Sequence, residues 1–254
     1  MTVSDINCDC GESFGNWSMG ADDAVMPHIT TANVACGFHA GDPVTMMRTI
    51  DLAVAHGVQV GAHPGLPDLM GFGRRRMEIT PEEAYGYVAY QASALSGLLA
   101  RRGRKLSHVK PHGVLYLMLN ERMDLAEAVA RAIVDVCPEP TLYWPAPVAG
   151  RALPEAARAQ GVRVIREVYF DLSYDARAQL VLQRKKVALD LDDLRRRLDD
   201  YLATGEVVAV TGERIRLDAE SICVHGDGPN AADVARTIRA AIAPRAERKK
   251  VGAA

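Results

Sequence analysis

Four apolar, strand-like runs of this 254-residue chain each lead into a histidine beside a glycine or proline turn. They lie at residues 32–41, 58–65, 108–113 and 222–228, and they put His39, His63, His112 and His225 at the carboxyl ends of four candidate strands. In parallel-sheet and barrel folds, ligands and catalytic side chains gather at that rim. One such histidine is most simply a core residue. Four in the same context, each beside other polar groups, predict a polar site on one face of a barrel.

The neighbouring residues suggest what such a site could do. Asn7 and Asp9 have the same parity, so an extended strand points both to one side, and Glu12 follows in the turn. These carboxylates could serve as general base or metal ligand, or simply as turn and cap residues. Lys110 and His112 flank Pro111 with shared parity; a lysine at a rim can bind an anion, polarise a carbonyl oxygen, or pair with a carboxylate to hold the barrel mouth. Arg74, Arg75 and Arg76 follow a glycine-rich turn, and one or two of them could clamp a carboxylate or phosphate. Glu167 and Asp171 end the sixth candidate strand, while His225 and Asp227 close the set. Asp42 precedes Pro43 and suits a helix N-cap, which does not preclude a place in the site. As rim charges, Asp9 and Lys110 are expected to be removable with little loss of stability.

Short β-type runs alternate with longer helical ones. Strands are predicted at residues 3–8, 29–35, 58–62, 106–110, 141–144, 162–168 and 221–224. Helices are predicted at 43–56, 81–102, 122–136, 149–160, 191–203 and 229–243, with a small hairpin within 204–217. Alternation of this kind argues for βαβ units around a parallel sheet. Seven such units predict an α/β fold, a seven-stranded (β/α) barrel occupying residues 1–244 as one domain. The basic residues 245–250 are expected to belong to a short frayed tail, 245–254. Polar, glycine-rich loops at 9–15, 37–43 and 65–76 follow strands, where function usually sits on such a scaffold.

Composition narrows the class. A net charge of −2 gives no reason to expect nucleic acid or an anionic membrane as partner, and self-association stays open. Five cysteines with no CxxC pair point away from a thiolate zinc site and towards reduced thiols in the cytoplasm. The start of the chain lacks the apolar core of a signal peptide, and no apolar run is long enough to span a bilayer. No GxSxG elbow, GxxxxGK[ST] loop, GxGxxG or HExxH occurs, so any nucleotide is bound in another way or by a partner.

The segments DINCDCGESFG, TANVACGFHAGDP, GAHPGLPDLMGFGRR, VKPHGVLY and SICVHGD resemble, in order and across about residues 5–242, the signature segments of the LamB/YcsF family. The resemblance implies a seven-stranded barrel of the glycoside hydrolase/deacetylase type. It also implies opening of the lactam ring of 5-oxoproline to glutamate, coupled to ATP hydrolysis (with Mg), in company with partner subunits B and C. The positions that match are Asn7, Asp9, Glu12, Asn33, His39, Asp42, His63, Asp68, Arg74, Lys110, His112, His225 and Asp227. Asp9, His63, Lys110 and His112 are expected in catalysis. Asn7, Glu12, Asn33, His39, Arg74, Glu167, His225 and Asp227 are expected in substrate binding. No resident metal is expected; the alternative is a divalent ion on Asp9, His39 and His63. Two other readings stay open: a metal-dependent deacetylase of an N-acyl compound, and a non-catalytic ligand-binding subunit.

One stretch departs from the family's pattern. Leu172 stands where an arginine is expected, and Leu182-Gln183 where a Pro-Arg pair is expected, with Arg184 adjacent. If those arginines bind a substrate carboxylate, this chain has lost bidentate contacts, and a larger or less acidic lactam is the expected substrate. Leu66 and Leu117 are lesser differences.

Overall fold

A computed structural model describes residues 3–181 and 187–251, with side chains through residue 243. Its centre is a curled, all-parallel sheet of six strands in the order β3-β2-β1-β10-β5-β4. These are β1 (Asp5–Cys10), β2 (Thr31–Ala35), β3 (Gln59–His63), β4 (Thr141–Pro145), β5 (Arg163–Tyr169) and β10 (Ser221–His225). Two small antiparallel hairpins intervene: β6 (Ser173–Tyr174) with β7 (Leu180–Val181), and β8 (Glu206–Val208) with β9 (Arg214–Arg216), the latter inside the expected 204–217. The central strands are buried along nearly their whole length, as expected for a parallel sheet covered by helices.

The fourth expected strand, 106–110, is not a regular strand. Only Val109 forms bridges, to Ala62 on one side and Leu142 on the other. Backbone bonds from Ala62 to His108 and from Lys110 back to Ala62 (both 2.9 Å), and between Val109 and Tyr143 (3.0 Å), tie this segment to both edge strands. Pro111 has no N–H to continue the ladder. The first strand runs Asp5–Cys10 rather than 3–8, so Asp9 lies within it.

Helices α1 (Asp22–Val25), α2 (Pro43–Ala55), α3 (Pro81–Ala100), α4 (Gly113–Glu121), α5 (Met123–Val136), α6 (Ala152–Ala159), α7 (Leu191–Thr204) and α8 (Ala231–Val251) connect the strands. Asp42 caps α2 by accepting from Val44 N and Thr45 N, with Pro43 in the first turn; Met46, Ile50 and Ala53 form its buried stripe. Full burial of one such side chain as Ile50 stabilises by about 1.5–3 kcal/mol. Thr80 and Glu83 close a reciprocal capping box on α3. Helix α4 has no counterpart among the expected elements: it starts at Gly113, directly behind His112, and abuts α5 at Arg122. The backbone of residues 245–250, read as a frayed end, continues α8.

Candidate active site

Strand register assembles the site. Asp9 stands opposite Asn33 on β2 and His225 on β10, and Asn7 opposite Cys223. Ser221 stands opposite Glu167 on β5. In-register residues of adjacent strands share a face, so these side chains line up from Ser221 at the start of β10 to Asp9 and His225 at the carboxyl ends of β1 and β10.

Lys110 lies at the centre, 5% exposed. Its ammonium donates to Asn7 Oδ1 (3.1 Å), Asp9 Oδ1 (3.1 Å) and Cys223 Sγ (3.0 Å), with Glu167 Oε2 3.2 Å away. An ammonium has three donors, so all are engaged. Asn7 donates to Glu167 Oε2 (2.9 Å) and Ser221 Oγ (2.8 Å). Asn33 donates to Asn7 Oδ1 and Asp9 Oδ1 (both 2.8 Å), and His108 Nε2 lies 2.7 Å from Asn33 Oδ1. The Tyr169 hydroxyl donates to Glu167 Oε1 in a short bond. Burial alone would raise the Asp9 carboxyl; His63, then Lys110 and His225, outweigh burial and hold the group well below the usual range. Burial works the other way on Lys110, and Asp9, Cys223 and Glu167 keep it charged.

Above this charged floor stand the histidines. His63 Nε2 is 3.5 Å from Asp9 Oδ2, and His225 Nε2 is 4.0 Å from the same oxygen. His225 is oriented by Asp171, whose Oδ2 lies 2.8 Å from both His225 N and Nδ1. His112 Nδ1 is 3.0 Å from His63 Nε2, and His39 stacks on His112 with centroids 3.7 Å apart. Burial pushes His63 down to about 4 and His112 down to about 3, so both are neutral at pH 7.

A cavity of about 430 Å³ opens over these groups. Asp9, Glu12, His63, Arg74, Lys110, His112, Glu167, His225 and Asp227 line it, and Tyr116, Trp144, Arg151 and Tyr169 add to the wall. Asn7, Asn33 and His39, expected as substrate contacts, do not line it. They are fully buried behind its lining, where the two asparagines hold Asp9 and Lys110 and His39 backs His112. Of the three arginines, Arg74 alone faces the cavity; Arg75 pairs with Asp68 and Arg76 with Glu121. Asp42 serves as a cap and Asp68 as the partner of Arg75, both outside the lining. The alternative ligand set Asp9, His39, His63 is regrouped: His39 and His63 cluster with Glu12 and His112, and Asp9 with Cys223 and His225.

His108, Tyr169 and Cys223 were not among the expected residues. Period two pointed to each: His108 precedes Lys110 by two, Tyr169 follows Glu167 by two, and Cys223 precedes His225 by two. Leu172 does not line this cavity; it is 7% exposed and faces a separate one of about 400 Å³. Residues 182–184 lie outside the described residues.

Comparison with known proteins agrees with this picture. The LamB/YcsF family model matches residues 4–251. The A subunit of 5-oxoprolinase from Bordetella pertussis is 48% identical over 240 residues, 94% of each chain. The protein of the same name from Pyrococcus furiosus is 45% identical over 237 residues, 92% of each chain. The crystal structure of a lactam utilization protein from Thermus thermophilus superposes with a TM-score of 0.86 at 40% identity, covering 96% of this chain and 97% of that one.

Proposed function

Because this chain belongs to the LamB/YcsF family, we propose that it is the ring-opening component of a 5-oxoprolinase-type lactam hydrolase, converting 5-oxoproline or a related lactam to the open amino acid. The observation that carries the reading is the Lys110 ammonium held between Asp9 and Glu167 at the floor of a cavity larger than a five-membered lactam. In the same reading the segment around Val109 is the seventh stave of the barrel, and ATP with Mg²⁺ and subunits B and C complete the enzyme in the cytoplasm. Five free, buried cysteines suit that compartment.

An amide resists attack because its nitrogen donates into the carbonyl. Transfer of the γ-phosphoryl group of ATP to the lactam oxygen makes the ring carbon electrophilic and leaves ADP. Water then adds, the C–N bond breaks as the nitrogen takes a proton, and a second water releases phosphate from the acyl phosphate. Asp9 lines the cavity, and its Oδ1 is taken up by Asn33 and Lys110, so Oδ2 is the oxygen assigned as base for the water. Lys110 acts as a fixed positive charge beneath the developing oxyanion. The Cys223 thiol is the weakest of its acceptors and the one a substrate oxygen can displace. His225, oriented by Asp171, is the group assigned to give the leaving nitrogen its proton. Arg74 and Arg151 are the cations of the lining that suit a substrate carboxylate.

The test is glutamate release from a panel of lactams by the chain with subunits B and C and ATP-Mg²⁺. Asp9→Asn keeps the hydrogen-bonding shape and is expected to lower kcat by roughly 10²–10⁴. If no lactam is opened, or Asp9→Asn turns over at the unaltered rate, the reading falls.

A further inference from the structure

The imidazole cluster carries a polar conflict that the lactam chemistry does not use. His63 Nδ1 lies 2.6 Å from the carbonyl oxygen of Lys110. His112 Nε2 lies 2.8 Å from the carbonyl oxygen of Phe72. A carbonyl only accepts, so each of these nitrogens carries the ring's proton, and both tautomers are fixed. In the neutral rings the other two nitrogens, His63 Nε2 and His112 Nδ1, are then both lone pairs, yet they face each other at 3.0 Å. Asp9 Oδ2, a third acceptor, is 3.5 Å from the first; Glu12 Oε1, a fourth, is 4.0 Å from the second. His39 is wholly buried beside them, and neither of its ring nitrogens has a hydrogen-bond partner. Acceptors do not converge in a buried space without something positive between them.

We propose that Glu12, His63 and His112 form a binding site for one divalent transition-metal ion of the zinc class, with His39, stacked parallel on His112, as the wall behind it rather than a ligand. The donor atoms of these residues all lie within 4.8 Å of one another, and all of them are buried. Two nitrogens bound to one ion at about 2.1 Å, with angles of 90–109°, sit roughly 3.0–3.4 Å apart, which matches the His63–His112 separation. The carbonyls behind His63 and His112 are the outer partners that orient metal-ligating histidines. Glycines keep the imidazoles in place: a Cβ on Gly65 would stand 2.5 Å from His39 Nδ1, and one on Gly73 2.9 Å from a carbon of the His112 ring. Two imidazole nitrogens and one carboxylate oxygen, with open positions for water, select Zn²⁺, Co²⁺, Ni²⁺ or Fe²⁺ over Mg²⁺, which takes oxygen ligands, so this ion is distinct from one that accompanies ATP.

The inference goes beyond the lactam reading, and its readout needs no turnover. Tag-free full-length chain is stripped with a chelator, loaded with Zn²⁺, desalted and assayed for bound metal. About one equivalent per chain is expected, falling at least tenfold in His63→Ala and in His112→Ala while persisting in His225→Ala. Circular dichroism reports whether the variants fold. Should they not, Co²⁺ loaded into the unaltered chain decides: d–d absorption without a thiolate charge-transfer band supports the site. A thiolate band, or metal lost only in His225→Ala, would place the ion on Asp9, Cys223 and His225 and overturn the proposal. Failure of the unaltered chain to retain Zn²⁺ or Co²⁺ would overturn it in favour of a proton shared between the two rings.

Discussion

Two buried polar regions meet in one cavity, and they differ in how completely they are satisfied. In the floor, Lys110, Asp9, Glu167, Asn7 and Asn33 close on one another with complementary donors and acceptors. In the roof, His39, His63 and His112 pack together tightly, but acceptor faces acceptor and one ring has no hydrogen bond. Both are equally hidden from water, so burial does not explain the contrast. A closed network fixes a charge and a geometry; an open one of the same residue class is arranged around a ligand. The floor should therefore answer mutation as structure and chemistry together, and the roof as a binding site.

Lys110→Met is the severest way to break that contrast. It removes the one cation between two buried carboxylates and leaves Asp9 and Glu167 unpaired. Loss of one partner of a buried ion pair costs about 3–5 kcal/mol, a fall in thermal midpoint of roughly 6–20 °C in a chain of this size. Lactam turnover should be lost as well. This revises the reading of Lys110 as a rim charge removable with little loss of stability, because its side chain is almost wholly enclosed. A variant melting with the unaltered chain would mean that the floor is not a closed network.

Leu172→Arg separates the cavity from its surroundings. From the family pattern, an arginine here is expected to restore a substrate contact. Leu172 instead packs away from the cavity, so the arginine should leave turnover by the folded protein unchanged and lower stability by about 1–3 kcal/mol. Thermal melts beside kcat and KM on 5-oxoproline decide it. A rise in turnover would bring position 172 back into the site.

What could be read in advance follows a physical line. Asn7 and Asp9 share a face whether the strand begins at residue 3 or 5, because a shift by two preserves parity. The four histidines converge because parallel strands place their carboxyl ends together. Pairings across strands were hidden: Asn33 meets Asp9, and Cys223 meets Lys110, only once register is set. Which of Arg74, Arg75 and Arg76 turns inward depends on Asp68 claiming Arg75 and Glu121 claiming Arg76, contacts that no local period encodes. The stacking of His39 on His112 rests on space left by Gly65 and Gly73, and looks like nothing in a linear string. Helix α4 was hidden behind the Lys110-Pro111-His112 turn, whose glycine at 113 reads as a loop.

The mildest test carries the contrast to the surface. Asp42 is a satisfied carboxylate outside the cavity: it accepts from Val44 N, Thr45 N and Thr45 Oγ1 at the start of α2, and from Gly15 N at 3.0 Å. The last bond ties down the turn that carries Glu12. The Gly15 amide, then Thr45, holds the Asp42 carboxyl down to about 2. A depressed carboxylate stabilises the fold above its unfolded value of about 3.9, and the contribution fades as pH falls from there through about 2. Asp42→Ala should thus cost about 1 kcal/mol at pH 7, as loss of an N-cap does, or roughly 2–4 °C in thermal midpoint. The gap from the unaltered chain should narrow as the pH is lowered below about 4, within the range where both remain folded. Zinc retention should survive, because Asp42 holds the loop at the Gly15 amide and not at the Glu12 side chain. A gap that stays constant into acid would mean that the ionised carboxylate is not what caps α2. Loss of zinc along with the cap would mean that the Glu12 loop is set from α2, and that the roof depends on the surface that holds its turn.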